Sequence, residues 1–244
     1  MKGIVFSELP RIPLDLDEHY DYLRRGKTVT LLHRAVFFCA LVLLRVYDFL
    51  LFGLRIRGWE NRLKLGPSGA VAVCNHVHTL DCTMLAQVLW PKRQYYVTLQ
   101  SNLEMKGVRH LVRLLGGIPI PEDRALRRAF PAVLQDALAH GAAVPIYPEG
   151  ELDYYCEHLR PFKNTAFSTA WQAGVPVIPL CITYREPRGI WRLKKRPCLT
   201  LHILPAVFPD PSAPKGREVP RMREETFRRM LACQEAHRRG PAGQ

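Results

Sequence analysis

Three kinds of apolar run alternate along the chain. Short runs of strand length occupy residues 70–74, 94–98, 142–147, 175–183 and 199–204. Between them lie stretches with helical spacing: 79–88, 103–115, 124–140, and 165–173 closed by Gly174. In the second of these, apolar positions at 108, 111, 112 and 115 alternate with Lys106, Arg109 and Arg113. Pro131 marks either a kink in the third or its true start. Strands alternating with helices predict an α/β fold, a single domain built on a mixed, mainly parallel sheet flanked by helices.

The third kind is a long run of Leu, Val and Phe from residue 31 to 54, wide enough to span a bilayer. Arg45 and Asp48 interrupt it, and each costs up to about 3 kcal/mol at the centre of a membrane. Being three apart, they are expected to pair on one helical face. The resulting expectation is one or two helices in the membrane interface, flanked by His33, Arg34, Arg55 and Arg57.

Three regions follow. Residues 1–57 form a lead-in, irregular over 1–30, and membrane-associating helices; 58–208 form the α/β core; 209–244 form a proline-rich linker and a basic amphipathic helix starting at Arg221. No internal repeat is visible.

Charge narrows the partner. Lys and Arg outnumber Asp and Glu by 35 to 22, giving a net charge of +13, which favours an anionic surface. Zinc-finger spacing, RNP-like aromatic motifs and heptad-bearing basic helices are missing, so an anionic membrane surface is expected and nucleic acid is not. The seven cysteines include no C-x-x-C pair and several sit in apolar runs, as reduced core thiols do. Without a secretory signal in the charged first 30 residues, the expected location is membrane-associated, on the cytosolic face.

Candidate chemistry sits at strand ends. The run at 70–74 is followed by Asn75, His76, His78 and Asp81. His76 and Asp81 are about 140° apart on a regular helix, so they meet only if residues 76–79 turn tightly. With Thr79 as N-cap, Asp81 falls in the first helical turn, fixes the His76 tautomer and leaves the other ring nitrogen as a general base. A competing reading makes His76, His78 and Asp81 the ligands of a metal-dependent hydrolase. Glu149 and Gly150 follow the strand at 142–147 and open onto the same crevice. A third reading is a non-enzymatic binder of anionic lipid.

Taken in order, these stretches resemble the glycerolipid acyltransferase family of the 1-acylglycerol-3-phosphate acyltransferases. Asn75, His76 and Asp81 match its N-H-x4-D motif; Gly117 to Arg124 loosely matches a second; Tyr147, Pro148, Glu149 and Gly150 match F-P-E-G; and Val175 to Pro179 match V-P-I-x-P. The resemblance covers roughly residues 58–185. It implies transfer of a fatty acyl group from an acyl thioester, acyl-CoA or acyl-carrier protein, to a hydroxyl of a lysophospholipid, with no metal and no cofactor. His76 is then the base and Asp81 its orienter. Glu149 and Gly150 shape the acceptor site, and Arg124 binds its phosphate. Two positions depart from the pattern. Glu151 and Leu152 stand where many members have Thr-Arg, leaving Arg160 or Lys163 to supply the charge, or an acceptor carrying less phosphate. Thr165 replaces a glycine common after the Phe-Lys pair.

Overall fold

The apolar run Ala70–Cys74 (β2) becomes the middle of the sheet because both its faces are buried. Ala70, Ala72 and Cys74 point to one side and Val71 and Val73 to the other, so each face of the sheet gathers its own core. The computed structural model describes residues 12–107 and 109–238. β2 lies between β5 (Ala143–Ile146) and β6 (Val177–Arg185), parallel to both. β7 (Cys198–Ile203) runs antiparallel to β6, and the short edge strand β1 (Arg55–Arg57) is parallel to β7. The order is β1-β7-β6-β2-β5. Beyond β5 the chain before β3 (Tyr96–Leu99) continues the sheet: Tyr95 N–H donates to Ala143 O and Ala143 N–H to Arg93 O. β3 pairs in parallel with β4 (Gly117–Ile120). One antiparallel pair in an otherwise parallel sheet is the mixed sheet the sequence predicts.

Helices cover both faces. On one side α3 (Asp81–Leu89) buries Met84, Leu85, Val88 and Leu89 against the small residues of β2. Each such side chain contributes about 1.5–3 kcal/mol. α1 (Lys27–Phe52) packs outside α3, and the short α2 (Trp59–Leu63) links β1 to β2. On the other side lie α5 (Arg124–Ala139), α6 (Thr165–Ala173) and α7 (Lys215–Arg238), around Phe130, Leu134, Phe167, Met222 and Met230.

Several expectations need correction. The helix expected over 103–115 is a 3₁₀ turn, Gln100–Leu103, followed by the short α4 (Arg109–Leu114). α5 starts at Arg124, where the Asp123 side chain accepts the N–H groups of Ala125 and Leu126, so Pro131 lies inside it. α7 starts at Lys215, not Arg221, and takes Pro220 into an early turn. The apolar N-terminal segment is one helix, within the one or two expected, but Asp48 does not pair with Arg45. Arg45 is exposed, whereas Asp48 is buried against α3, accepting from the Thr83 hydroxyl (2.9 Å) and the Gln87 amide (2.6 Å).

All seven cysteines are free, and Cys74, Cys156, Cys181 and Cys198 are buried. The expectations for residues 1–11 and 239–244 lie outside the described residues.

Candidate active site

β2 and β5 are parallel neighbours, so the segments leaving their carboxyl ends emerge side by side. After β2 the chain bends over residues 75–80, held by Asn75, whose side chain accepts the Ile182 N–H (2.8 Å) and donates to Ile182 O (3.0 Å). α3 then begins at Asp81, with Leu80 rather than Thr79 at the N-cap position. The bend wraps around the Asp81 carboxylate. Oδ2 accepts from Val77 N–H (2.8 Å), His78 N–H (3.0 Å) and His76 Nδ1 (3.0 Å).

Because Asp81 is fully buried and its oxygen accepts, the His76 proton sits on Nδ1 and the lone pair on Nε2. His76 is partly exposed and faces the cavity. Its ring stacks on Tyr147, with centroids 3.9 Å apart and planes 14° from parallel. The Tyr147 hydroxyl is buried without a partner among the described residues, and burial pushes its pKa far above the ordinary phenol range.

Glu149 lies behind the imidazole, not on the cavity wall. Its buried carboxylate accepts from His76 N–H (3.2 Å), Arg160 N–H (3.3 Å) and the Arg160 guanidinium (2.7 Å). Arg160 also donates to Glu151 O, which ties its guanidinium into this brace. Gly150 lines the cavity with φ +83°, and a side chain there would strike Lys163, whose ammonium would lie 2.4 Å from the added carbon. The following segment folds back over the site, Asp153 N–H donating to His76 O and Tyr155 N–H to Val77 O.

His78 points elsewhere. Its Nδ1 accepts from Leu80 N–H, and its ring is packed against Phe52, Tyr154 and Tyr155. The trio His76, His78 and Asp81 therefore does not converge on a common point.

The cavity in front of His76 has a volume of about 720 Å³, within the ~300–1,000 Å³ typical of small-molecule sites. Phe37, Ala40, Leu41 and Leu44 of α1 wall it on one side, and Val97, Leu99, Leu115 and Ile120 continue the apolar lining. Near His76 the lining becomes polar, with Thr79, Thr83 and Glu151. Arg124 is exposed at the start of α5 and is not part of the wall. Sequence reasoning brought His76, Asp81, Glu149 and Gly150 to one corner, and did not foresee that Glu149 grips the backbone of the histidine. Its one legible signal was the shared strand-end position.

Comparison with known proteins places the chain in a family. A family model described as Acyltransferase matches residues 54–183, more than half of the chain, and the chain belongs to that family. It is 34% identical over 115 residues to a 1-acyl-sn-glycerol-3-phosphate acyltransferase of Chlamydomonas reinhardtii, covering 46% of this chain and 33% of that protein. It is 29% identical over 125 residues to a lyso-ornithine lipid O-acyltransferase of Rhodobacter capsulatus, covering 50% and 44%. The chain thus spans between a third and a half of these relatives' length. The crystal structure of the 1-acyl-sn-glycerophosphate acyltransferase PlsC from Thermotoga maritima shares the fold, with TM-score 0.61, 18% identity, and 91% of this chain and 92% of that one covered.

Proposed function

We propose that this protein transfers a fatty acyl group from an acyl thioester to a hydroxyl of a lysophospholipid, His76 acting as general base. The observation that carries this reading is the His76–Asp81 pair, with a free Nε2 facing a cavity that is apolar along most of its length. Nε2 takes the acceptor's proton as its oxygen attacks the thioester carbonyl. The tetrahedral intermediate then expels the thiolate, which recovers the proton from the imidazolium, so ester and free thiol leave and the base is restored. Imidazole is far too weak a base to generate a free alkoxide from a hydroxyl of pKa ~16, so proton removal accompanies attack. Glu149 is a positioning residue, holding the His76 backbone through a buried acceptor.

The apolar cavity takes the acyl chain. The headgroup lies at the polar end, where Lys163 stands beside Gly150 with no ion pair among the described residues. Lys163 is our first choice for an acceptor phosphate, and Arg124, favoured by the family resemblance, is the second. Glu151 supports another acceptor: an acid on the cavity wall suits a headgroup bearing an amine, as in the lyso-ornithine lipid named for the Rhodobacter relative.

α1 attaches the protein to a membrane. At 100° per residue, His33, Phe37, Ala40, Leu41, Leu44, Asp48 and Phe52 share an arc of about 120°. This arc faces the protein or the cavity. The remaining surface exposes Leu31, Phe38, Val42, Leu43, Val46 and Leu50, an apolar face left uncovered by the described residues. Docking contacts spread from His33 to Phe52 hold the helix against the core along its length, so it lies in the interface plane. The cytosolic leaflet, anionic and facing the acyl donors, is the surface proposed.

The test is release of free thiol by purified protein in detergent. Acyl-CoA and acyl-carrier-protein donors are combined with lysophosphatidic acid, lysophosphatidylcholine and lyso-ornithine lipid. His76→Ala is expected to lower turnover about 10²–10⁴-fold with an unchanged unfolding midpoint. Turnover at the wild-type rate would overturn the assignment. Lys163→Ala and Arg124→Ala should raise KM for phosphate-bearing acceptors according to which cation binds them. Glu151→Gln should do so only for the amine-bearing one.

A further inference from the structure

Across the sheet from the cavity, β6, β7 and α7 bring together four side chains that the acyl-transfer chemistry does not use. Cys181 and His202 are directly opposite each other in the antiparallel β6–β7 pair. Cys233 and His237 lie four apart on α7, one turn of helix and therefore one face. A ligand atom from each of His202, Cys233 and His237 falls within 4.8 Å of the others, and the rings of His202 and His237 are 4.2 Å apart. The buried Cys181 thiol also reaches α7, donating to Met230 O at 3.6 Å, three residues before Cys233.

We propose that His202, Cys233 and His237, completed by Cys181, form a structural zinc site that fastens α7 to the β6–β7 pair. Zinc prefers four tetrahedral nitrogen and sulfur ligands, with Zn–N about 2.0–2.1 Å and Zn–S about 2.3 Å. Ligand atoms in such a shell are roughly 3.3–3.8 Å from each other, so the three atoms need to close by only about 1 Å. His237, in the last turn of α7, is the ligand freest to make that movement.

The ring nitrogens are already oriented. His237 Nδ1 is 2.7 Å from the Cys233 carbonyl, which only accepts, so the proton sits there and Nε2 carries the lone pair. His202 Nε2 is 2.9 Å from the Thr183 hydroxyl, which leaves Nδ1 for a metal. Two thiols and two imidazoles are a poor set for magnesium or calcium, which take oxygen ligands.

The experiment uses the full chain, stripped with chelator under reductant and then loaded with zinc or cobalt(II). One zinc per chain is expected, together with a thiolate-to-cobalt charge-transfer band. Cys233→Ser should abolish the band, Cys181→Ser should roughly halve it, and His202→Ala or His237→Ala should weaken zinc binding at least tenfold. Zinc should also raise the unfolding midpoint of the wild type, a readout that survives if a variant fails to fold. His76→Ala should bind the same single zinc, which separates this site from the one facing the cavity. A substoichiometric ion, a cobalt spectrum without thiolate character, or a Cys181–Cys233 disulfide that zinc fails to prevent would overturn the proposal.

Discussion

The two longest helices, α1 and α7, each cover one face of the same sheet, yet their outward surfaces are opposite in character. α1 presents Leu31, Phe38, Leu43 and Leu50 outward, whereas α7 presents arginines and glutamates paired along its surface, Arg228 and Arg229 both reaching Glu225. Packing against the core cannot explain the difference, since both helices bury a mixed stripe of apolar and polar residues. What differs is the medium each faces: α7 is built for water and α1 for hydrocarbon. The cavity opens under α1, so acyl chains resident in a bilayer would lie beside the wall formed by Phe37, Leu41 and Leu44.

The contrast is broken most directly by making α1 resemble α7. Leu43 and Leu50 are 72% and 59% exposed, so replacing both with Lys leaves the core untouched. Each buried leucine is worth about 1.5–3 kcal/mol, and the pair should therefore weaken vesicle binding by a factor on the order of 100 or more. Co-sedimentation with phosphatidylglycerol vesicles measures this, with an Arg228→Gln variant on α7 expected to bind like the wild type. Equal loss in both variants would mean that the outward surface of α1 has no special role.

Both helices also bury one carboxylate, in contrasting company. Asp48 on α1 has neutral partners, Thr83 and Gln87, and burial pushes its pKa up to about 6 from the usual carboxylate range. A shift of that size is worth about 3 kcal/mol between the two protonation states. The contribution of this group is most favourable when it is protonated, below about pH 4, and it is lost as pH rises through about 6. Asp48→Asn cannot ionise and should gain on the wild type as pH climbs from 4 to 7. Unfolding midpoints across that range should show a gap that widens with pH. A constant gap would mean that Asp48 is not held in a neutral environment.

How much of this contrast was legible in the chain depends on the range of the interactions. α6 and its stop at Gly174 were readable because apolar spacing and a left-handed cap are local features. β2 and β5 were readable as apolar runs, and their shared corner followed from the strand-end rule. β1 was not: Arg55, Ile56 and Arg57 hold one apolar residue, and only β7, far along the chain, makes them a strand. The partners of Asp48 lie 35 and 39 residues away, so its neighbour Arg45 was the natural but mistaken choice. The start of α7 was obscured by Pro220, which an early helical turn tolerates at the loss of one ladder bond. The grip of Glu149 on His76 depends on the pairing of two strands and has no local signature.

The carboxylate on α7 gives the smallest effect and the opposite sign. Glu218 is buried with Arg221 at 2.5 Å, and it also accepts the Asp210 N–H at 2.8 Å. The Arg221 hydrogen bond holds its pKa below the usual glutamate range against the cost of burial. A depressed acid contributes stability above its unfolded pKa and loses it as pH falls through the folded one. Glu218→Gln should therefore cost about 1–2 kcal/mol at pH 7, because Arg221 is half exposed and water screens the pair. The deficit should shrink below pH 4, where the wild-type carboxylate is itself being neutralised. Run beside Asp48→Asn in the same buffers, the two curves should diverge in opposite directions from low to neutral pH. Parallel curves would show that the two helices do not treat a buried acid differently.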